Sequence, residues 1–83
     1  MTFADQSILI TVRPHLDHWS VHKALSAPFR VQSGAEAERH ARRAAVEIAR
    51  SGRSALVEIY LRNGQLAARL AFGAAGPREL EVA

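Results

Sequence analysis

Three of the four histidines of the chain stand within the stretch RPHLDHWSVHKAL, next to its single tryptophan, Trp19. Imidazole side chains bind metal ions and transfer protons, so His15, His18 and His22 are the first candidates for a functional site. On a helix they would share one face, at spacings i, i+3 and i+7, and could converge on one ion. The secondary structure of this stretch therefore decides its chemistry.

We interpret the stretch as a β-strand, because Trp19 and Val21 then point to one face while His18 and His22 point to the other. A helix would leave Val21 off the apolar face. Four residues along a strand separate His18 from His22 by about 13 Å, whereas four along a helix would bring them within about 6 Å. The strand therefore predicts histidines that face solvent, and the helix alternative would reopen a metal site.

Two other constellations in this stretch fail on geometry. His15, Asp17 and His18 form at most a loose site in a turn, without the converging ligands that a metal needs. Ser20, His18 and Asp17 have the residue types of a nucleophilic triad, but neighbours on one strand point to alternate faces and cannot form a relay. The chain also has no cysteine and no glycine-rich phosphate loop. We predict no catalytic residue, no metal, no cofactor and no enzymatic activity.

The length, net charge and apolar runs of the chain limit which classes of function are possible. With 83 residues the chain forms one domain with a thin core, so we expect oligomerisation to supplement it. The net charge of +3 permits contact with phosphate or acidic partners, but the chain lacks the dense basic clusters of a dedicated nucleic-acid binder. No apolar run approaches the length that spans a bilayer, so we expect a cytoplasmic protein without membrane contact.

The clearest predicted element is a helix from Gly34 to Ser51. Ser33 and Glu36 have the spacing of a capping box, and Gly52 stands where a helix ends in a left-handed residue. The stripe expected to be buried consists of Ala37, Ala41, Ala44 and Ile48, flanked by Ala45 and Ala49. The opposite, solvated face is expected to carry Arg39, Arg43 and Arg50 around Val46.

The sequence ALVEIYLRNGQLAARLAF predicts a β-hairpin. Asn63 and Gly64 suit the two central positions of a type I′ turn, and apolar residues alternate on both sides. On one face this register pairs Leu61 with Leu66, Ile59 with Ala68, Val57 with Leu70 and Ala55 with Phe72. On the other face it pairs Tyr60 with Ala67 and Glu58 with the oppositely charged Arg69.

Shorter strands precede the helix. SILITVR and HWSVHK alternate apolar and polar residues, and FRVQ adds a short extended piece after Pro28. We therefore predict an α+β fold: an antiparallel sheet of about four strands in a ββαββ arrangement, with one α-helix packed on one face. Residues 1–6 are expected to form an N-terminal lead, residues 7–73 a single domain, and residues 74–83 a flexible tail.

Several fold motifs stand in a fixed order along the chain. The positions that carry them are Trp19 and Val21, then Phe29 and Val31, then Ser33, Glu36 and Ala37, then Ile59, Asn63, Gly64 and Leu66, and finally Phe72 and Gly73. In this order they resemble a small bacterial family of unknown function with a ββαββ arrangement, over about residues 8–73. Leu61 and Leu70 depart from it, since its members often carry small or polar residues there. The resemblance implies a fold and no activity.

One surface is a candidate binding site, namely the sheet face turned away from the helix. Its cations and aromatic ring are expected from Arg13, His18, His22, Tyr60 and Arg69. We predict a non-catalytic module that acts through self-association or a protein partner, because the core is thin and the hairpin is unusually apolar. The alternative is a nucleic-acid-binding domain that uses this face for stacking and phosphate contacts.

We further expect a homodimer. The last predicted strand, QLAARLAF, would leave an open edge of unpaired N–H and C=O groups, which invites pairing with a second copy. A two-fold dimer, formed at this edge or over the incompletely shielded apolar side of the sheet, would bury the apolar area that the monomer lacks.

Overall fold

The structure is a computed structural model that describes residues 7–24 and 26–82. The predicted lead, residues 1–6, lies outside this part. Within it, three strands precede one helix and three strands follow. The elements are β1 (Ser7–Pro14), β2 (Trp19–Lys23), β3 (Phe29–Val31), α1 (Gly34–Arg50), β4 (Ser54–Tyr60), β5 (Leu66–Gly73) and β6 (Gly76–Val82). The histidine stretch is therefore a turn followed by a strand, and its helix alternative is wrong.

The strands form one mixed sheet in the order β3-β2-β1-β4-β5-β6. Neighbours pair antiparallel except β1 and β4, which run parallel from Ser7 beside Ser54 to Val12 beside Ile59. The predicted fully antiparallel sheet is wrong here, because β3 runs in the direction of β1 and α1 then returns the chain to start β4 at the same end. The α+β class, with one helix against the sheet, is confirmed.

The sheet has six strands rather than about four. The extended piece before the helix forms β3, and residues predicted as part of a tail form β6. A tight turn at Ala74 and Ala75 precedes β6, and Gly73 pairs with Gly76, whose φ of +94° favours glycine. The Gly76-Pro77 pair is typical of a loop, but at a sheet edge proline is compatible with a strand.

The core lies between α1 and the sheet. The helix contributes Ala37, Ala41 and Ala45, all fully buried, and their small side chains let its backbone approach the strands closely. The strands contribute Ile10, Val12, Val21, Val31, Ala55, Val57, Leu70 and Phe72. Trp19 extends this core, and its ring fits against Gly34, where an added Cβ would lie 3.0 Å from a ring carbon.

The N-cap of α1 forms at the predicted Ser33, and the C-terminus lies within one residue of the prediction. The Ser33 Oγ accepts a hydrogen bond from the Glu36 N–H at 3.1 Å, which satisfies a backbone donor of the first turn. Glu36 Oε1 accepts from the Gln32 N–H at 3.4 Å, one residue before the cap, whereas a capping box directs this bond to the N–H of the cap residue itself. Beyond the last helical residue, Arg50, Gly52 adopts a φ of +90°. The helix therefore ends one residue before the predicted Ser51.

The buried stripe of α1 is rotated slightly from the prediction. It is centred on Ala41 and Ala45, so Ala44 and Ile48 lie half-buried at its edge. Val46, predicted to face solvent, also packs against the core. Val46 and Phe72 of β5 line the same hollow, so β5 lies beneath this side of the helix.

The predicted hairpin forms with most of its register. Four of the predicted pairs are present: Ile59 with Ala68, Val57 with Leu70, Ala55 with Phe72 and Glu58 with Arg69. A register shift between Ile59 and Tyr60 then pairs Tyr60 with Leu66 instead of Ala67. The two pairs nearest the turn are therefore wrong.

The turn itself explains the shift. The Gly64 N–H donates to the Leu61 carbonyl at 2.9 Å, and the Leu61 N–H donates to the Gln65 carbonyl at 2.8 Å. Arg62 and Asn63 are therefore the central residues, and Gly64 follows them with a φ of +87°. This three-residue loop replaces the predicted two-residue type I′ turn and adds a bulge to the second strand.

Candidate functional site

The sheet has one face without a helix, which we call the open face. Its residues alternate along each strand with the core residues that contact α1, so their side chains point the other way. The open face includes Leu9, Thr11, Arg13, Ser20, His22, Arg30, Ser54, Leu56, Glu58, Tyr60, Leu66, Arg69, Ala71, Arg78 and Leu80.

A chain of contacts crosses the open face. The Arg13 guanidinium carbon lies 4.0 Å from the centre of the Tyr60 ring, a cation–π contact between β1 and β4. The Tyr60 hydroxyl donates to Glu58 Oε1 at 3.0 Å. Arg69 Nε donates to Glu58 Oε2, also at 3.0 Å. We call Arg13, Tyr60, Glu58 and Arg69 the polar network, and it links β1, β4 and β5.

The Glu58 carboxylate is the centre of the polar network. Its side chain is only 13% exposed, and a charge so poorly hydrated needs partners. Arg69 supplies the opposite charge, and Tyr60 supplies a hydroxyl donor. The hydrogen bond to Glu58, assisted by burial and by the carboxylate charge, raises the pKa of Tyr60. Tyr60 therefore stays a neutral donor, and the charge of Glu58 is balanced within the sheet.

A row of apolar side chains crosses the open face beside the polar network. The register places Leu9 next to Leu56 and Leu56 next to Ala71. Leu80 lines a groove together with Ala71. The two outer members are exposed, Leu9 by 40% and Leu80 by 50%. We call Leu9, Leu56, Ala71 and Leu80 the apolar row, and grouped exposed aliphatic side chains are typical of a contact surface.

The groove adjoins the apolar row at the turn between β5 and β6. Its volume is about 430 Å³, and small residues form most of it. Ser54, Ala71 and the turn residues 73–76 line it, and Arg78 and Leu80 form its larger walls. The groove therefore offers space, an apolar wall and a cation beside the apolar row.

The turn between β1 and β2 brings four polar side chains together, His15, Asp17, His18 and Ser20, which we call the turn cluster. The rings of His15 and His18 stack with centroids 4.5 Å apart and planes inclined by 11°. His15 Nε2 lies 2.8 Å from Ser20 Oγ, and His18 Nδ1 lies 2.8 Å from Asp17 Oδ1. This hydrogen bond from His18 lowers the pKa of Asp17. Arg62 Nη1 donates to the His15 carbonyl at 2.7 Å, which ties the cluster to the hairpin turn.

The geometry of the turn cluster matches neither a metal site nor a triad. Imidazole lone pairs lie in the ring plane, so two stacked, nearly parallel rings do not direct them at one point. Across the described ranges, 7–24 and 26–82, no group of three or more metal-ligating side chains is placed to hold an ion. Ser20 contacts His15 while Asp17 contacts His18, so a triad is not connected in series. Strand alternation does not predict the Ser20–His15 contact, because His15 reaches Ser20 from the turn.

The structure distributes the five predicted binding residues over two places. Arg13, Tyr60 and Arg69 meet in the polar network. His22 is exposed on the same face. His18 lies apart from them in the turn cluster, with 21% of its side chain exposed.

Several residues of the open face are not predicted from the sequence, and three of them stand on strands that the sequence does not predict as such. Arg78 and Leu80 stand on β6, in a segment whose Gly-Pro pair indicates a tail, and Arg30 stands on the short β3. The signal that identifies β6 is the alternation of charged and aliphatic residues in RELEV. Leu56 is predicted only as part of the hairpin, and its apolar neighbours on the open face are Leu9 of β1 and Ala71 of β5.

No family model matches the chain, and no curated protein or solved structure matches it either. The resemblance to the small bacterial family therefore stays a prediction. Over the residues that the structure describes, no helix is both long and apolar enough to cross a membrane.

Proposed function

We propose that the chain is a small non-catalytic module that binds another protein through its open face. The apolar row carries this proposal. A sheet face that meets only water is normally polar, yet Leu9 and Leu80 are exposed there beside Leu56 and Ala71. Covering such side chains removes apolar surface from water, at about 25 cal/mol per Å². Association with a partner is therefore favourable at this place.

The polar network supports the same function as the border of such an interface. Its carboxylate, Glu58, already accepts hydrogen bonds from Arg69 and Tyr60. A partner that covers Glu58 therefore does not bury an unpaired charge, which would oppose binding. A surface with an apolar centre and satisfied polar groups beside it resembles the usual anatomy of protein interfaces.

Nucleic acid is the second candidate, favoured by the arginines of the open face, which are Arg13, Arg30, Arg69 and Arg78. Two observations make it the weaker one. Single-stranded nucleic acids stack on accessible aromatic rings, but Arg13 covers one side of Tyr60 and Glu58 holds its hydroxyl. A nucleic acid is held by many phosphate contacts, but two of these four arginines already have partners, Arg69 with Glu58 and Arg30 with Asp17.

The homodimer stays a prediction. The main reason for expecting it to form at a sheet edge was an open edge on β5. The edge of β5 is not open, because β6 pairs along it. β6 begins with Gly76 and Pro77 and continues with Arg78 and Glu79, and proline and charged residues discourage pairing between sheet edges. If two copies associate, the open face is the surface that their contact would cover.

The proposal is tested by crosslinking with variants of the apolar row. A photoreactive side chain replaces His22 on the open face, and the labelled protein is irradiated in an extract of the cells that express it. Leu9→Ser and Leu80→Ser are the test variants. Leu16→Ser is the matched control, because Leu16 is 98% exposed in the β1–β2 turn, away from the apolar row. Circular dichroism verifies that each variant is folded.

We expect one or more proteins to crosslink to the parent and to the Leu16→Ser variant, and to be lost with Leu9→Ser and Leu80→Ser. Equal crosslinking of all four proteins would contradict binding through the apolar row. Crosslinks that disappear after nuclease treatment would indicate the nucleic-acid candidate instead. Crosslinks between two copies, with a mass that rises in sedimentation equilibrium, would identify the homodimer.

A further inference from the structure

We infer that the partner of the open face is an acidic protein segment. It inserts an aliphatic or aromatic side chain into the groove beside Leu80 and sets carboxylates against Arg78 and Arg13. This inference rests on the proposed function and adds the chemistry of the partner. It is carried by the shape of the groove and by the charges around it.

The groove can receive a side chain because small residues line it. Ser54, Ala71 and the turn residues 73–76 leave about 430 Å³ between Arg78 and Leu80. This volume lies within the range of about 300–1,000 Å³ that is typical of ligand pockets. The apolar wall formed by Leu80 continues the apolar row. An apolar anchor residue seated in such a pocket commonly supplies a large share of the energy of an interface.

The charges of the open face favour carboxylates next to this anchor. Two acidic side chains that the structure describes at the open face and its adjoining turn have arginine partners, Glu58 with Arg69 at 3.0 Å and Asp17 with Arg30 at 3.6 Å. Arg13 and Arg78 form no ion pair with any carboxylate that the structure describes. Arg78 stands in the wall of the groove, where its guanidinium can bind a carboxylate with two parallel hydrogen bonds.

A second copy of the chain is a poorer occupant, because it would bring the same arginines to the contact. Four arginines against the carboxylates of Glu58 and Asp17 leave the described part of this surface positive. Two such surfaces repel each other, whereas an acidic segment is attracted, and the net charge of +3 steers it toward the chain. Nucleic acid would satisfy the arginines but has no aliphatic side chain for the groove.

Selection from a library of random peptides displayed on phage tests this inference. The bait is the 83-residue chain, with Arg78→Glu and Leu80→Ala as test variants. Arg43→Glu reverses an exposed charge on the outer side of α1, and Leu61→Ala shortens a leucine at the hairpin turn that is 43% exposed. These two variants are matched controls, because they make the same chemical changes away from the groove.

We expect the parent and both controls to enrich peptides with carboxylates next to an aliphatic or aromatic residue. Synthetic copies of these peptides are then measured by isothermal titration calorimetry. Arg78→Glu is expected to weaken their binding by about tenfold or more, since it sets a like charge against the partner. Leu80→Ala is also expected to weaken it. Added salt should reduce the affinity, because screening acts on exposed charge pairs.

The inference would be overturned by enrichment of neutral or basic peptides, by no enrichment at all, or by equal affinity for the parent and Arg78→Glu. Tighter binding of a single-stranded oligonucleotide than of every selected peptide would overturn it in favour of nucleic acid. The proposed function fails by a different result, namely when no protein crosslink depends on Leu9 and Leu80. A crosslinked protein that depends on these leucines but presents a neutral or basic segment leaves the function standing and overturns only the acidic partner.

Discussion

The guanidinium carbon of Arg13 lies 4.0 Å from the centre of the Tyr60 ring. This contact joins the two halves of the chain, since β1 precedes α1 and β4 follows it. It exists because β1 and β4 pair in parallel, so that Arg13 and Tyr60 come one step after the last paired residues, Val12 and Ile59. Through Glu58 it continues to β5. The polar network therefore forms only when the complete centre of the sheet is assembled.

Glu58→Gln is expected to lower the pKa of Tyr60 toward its ordinary value of 10.0. The hydrogen bond to the Glu58 carboxylate raises that pKa, and glutamine keeps the shape of the side chain but removes its charge. Tyr60 is the single tyrosine of the chain, so the ultraviolet absorbance of tyrosinate measures its titration directly.

Asp17→Asn is the control for this titration, because it removes a carboxylate from the turn cluster and leaves the polar network intact. Its titration curve should coincide with that of the parent protein. If Glu58→Gln also leaves the curve unchanged, Glu58 does not perturb Tyr60 in solution.

The same hydrogen bond is expected to make stability sensitive to alkaline pH. The pKa of Tyr60 is raised in the folded chain, so its contribution to stability is complete below the unfolded pKa and is lost as pH rises through the folded one. Urea denaturation should therefore show a free energy of unfolding that falls more steeply above pH 10.0 for the parent than for Tyr60→Phe. Measurements at neutral pH give the baseline cost of losing the hydroxyl. Parallel pH profiles for the two proteins would count against this linkage.

Elements whose partners are close in the chain can be predicted from the sequence. The caps of α1 depend on residues within one turn, and the pairing of Glu58 with Arg69 depends on the hairpin alone, so spacing is sufficient. The parallel pairing of β1 with β4 depends on where α1 returns the chain. β6 depends on the turn at residues 73–76. The parallel pairing leaves no periodic signal in the sequence. The weak alternation in β6 does not outweigh the Gly-Pro pair, which is typical of a loop.

Some features of the candidate site can likewise be predicted from local sequence, and others depend on strands that are distant in the chain. Strand alternation predicts that Arg13, Tyr60 and Arg69 share a face. The contacts that join these three residues through Glu58 form only when β1 and β4 are neighbours in the sheet. Long-range packing sets that arrangement. The groove requires β6 as well, since Leu80 forms one of its walls. Local sequence therefore identifies several polar members of the surface, but the complete apolar row needs the pairing of β1 with β4 and the presence of β6.

Gly34→Ala is expected to destabilise the fold by about 1 kcal/mol. An added Cβ would lie 3.0 to 3.3 Å from three carbons of the rigid Trp19 ring, and the higher helix propensity of alanine offsets only part of this overpacking. Trp19 is the single tryptophan, so a displaced ring should also change the fluorescence spectrum. Urea denaturation followed by fluorescence measures both effects.

Gly64→Ala is the matched control for Gly34→Ala. No atom lies within 4 Å of its added Cβ, but its φ of +87° is unfavourable for alanine. It should lower stability by about 1–2 kcal/mol through backbone strain alone, with an unchanged tryptophan spectrum. Parent-like stability and fluorescence in Gly34→Ala would mean that the Trp19 ring moves aside without cost.

Deletion of residues 74–83 is expected to make the chain self-associate. In the sheet, β6 pairs along β5 from Ala68 to Gly73 and covers its N–H and C=O groups. Without β6, the largely apolar β5 becomes an open edge with no proline and with one charged residue, Arg69. Such an edge pairs with another copy, whereas Pro77 and the charges of β6 discourage this contact. The truncated chain should therefore gain mass with concentration in sedimentation equilibrium more steeply than the 83-residue chain.

Glu79→Ala is the control for this deletion, because it changes an exposed side chain of β6 and keeps the strand. Its mass distribution should follow that of the parent. Far-UV circular dichroism establishes that α1 persists in the truncated chain, so that association can be separated from unfolding. If truncation changes neither the mass distribution nor the free energy of unfolding, β6 does not protect the edge of β5, and the predicted flexible tail would describe residues 74–83 better.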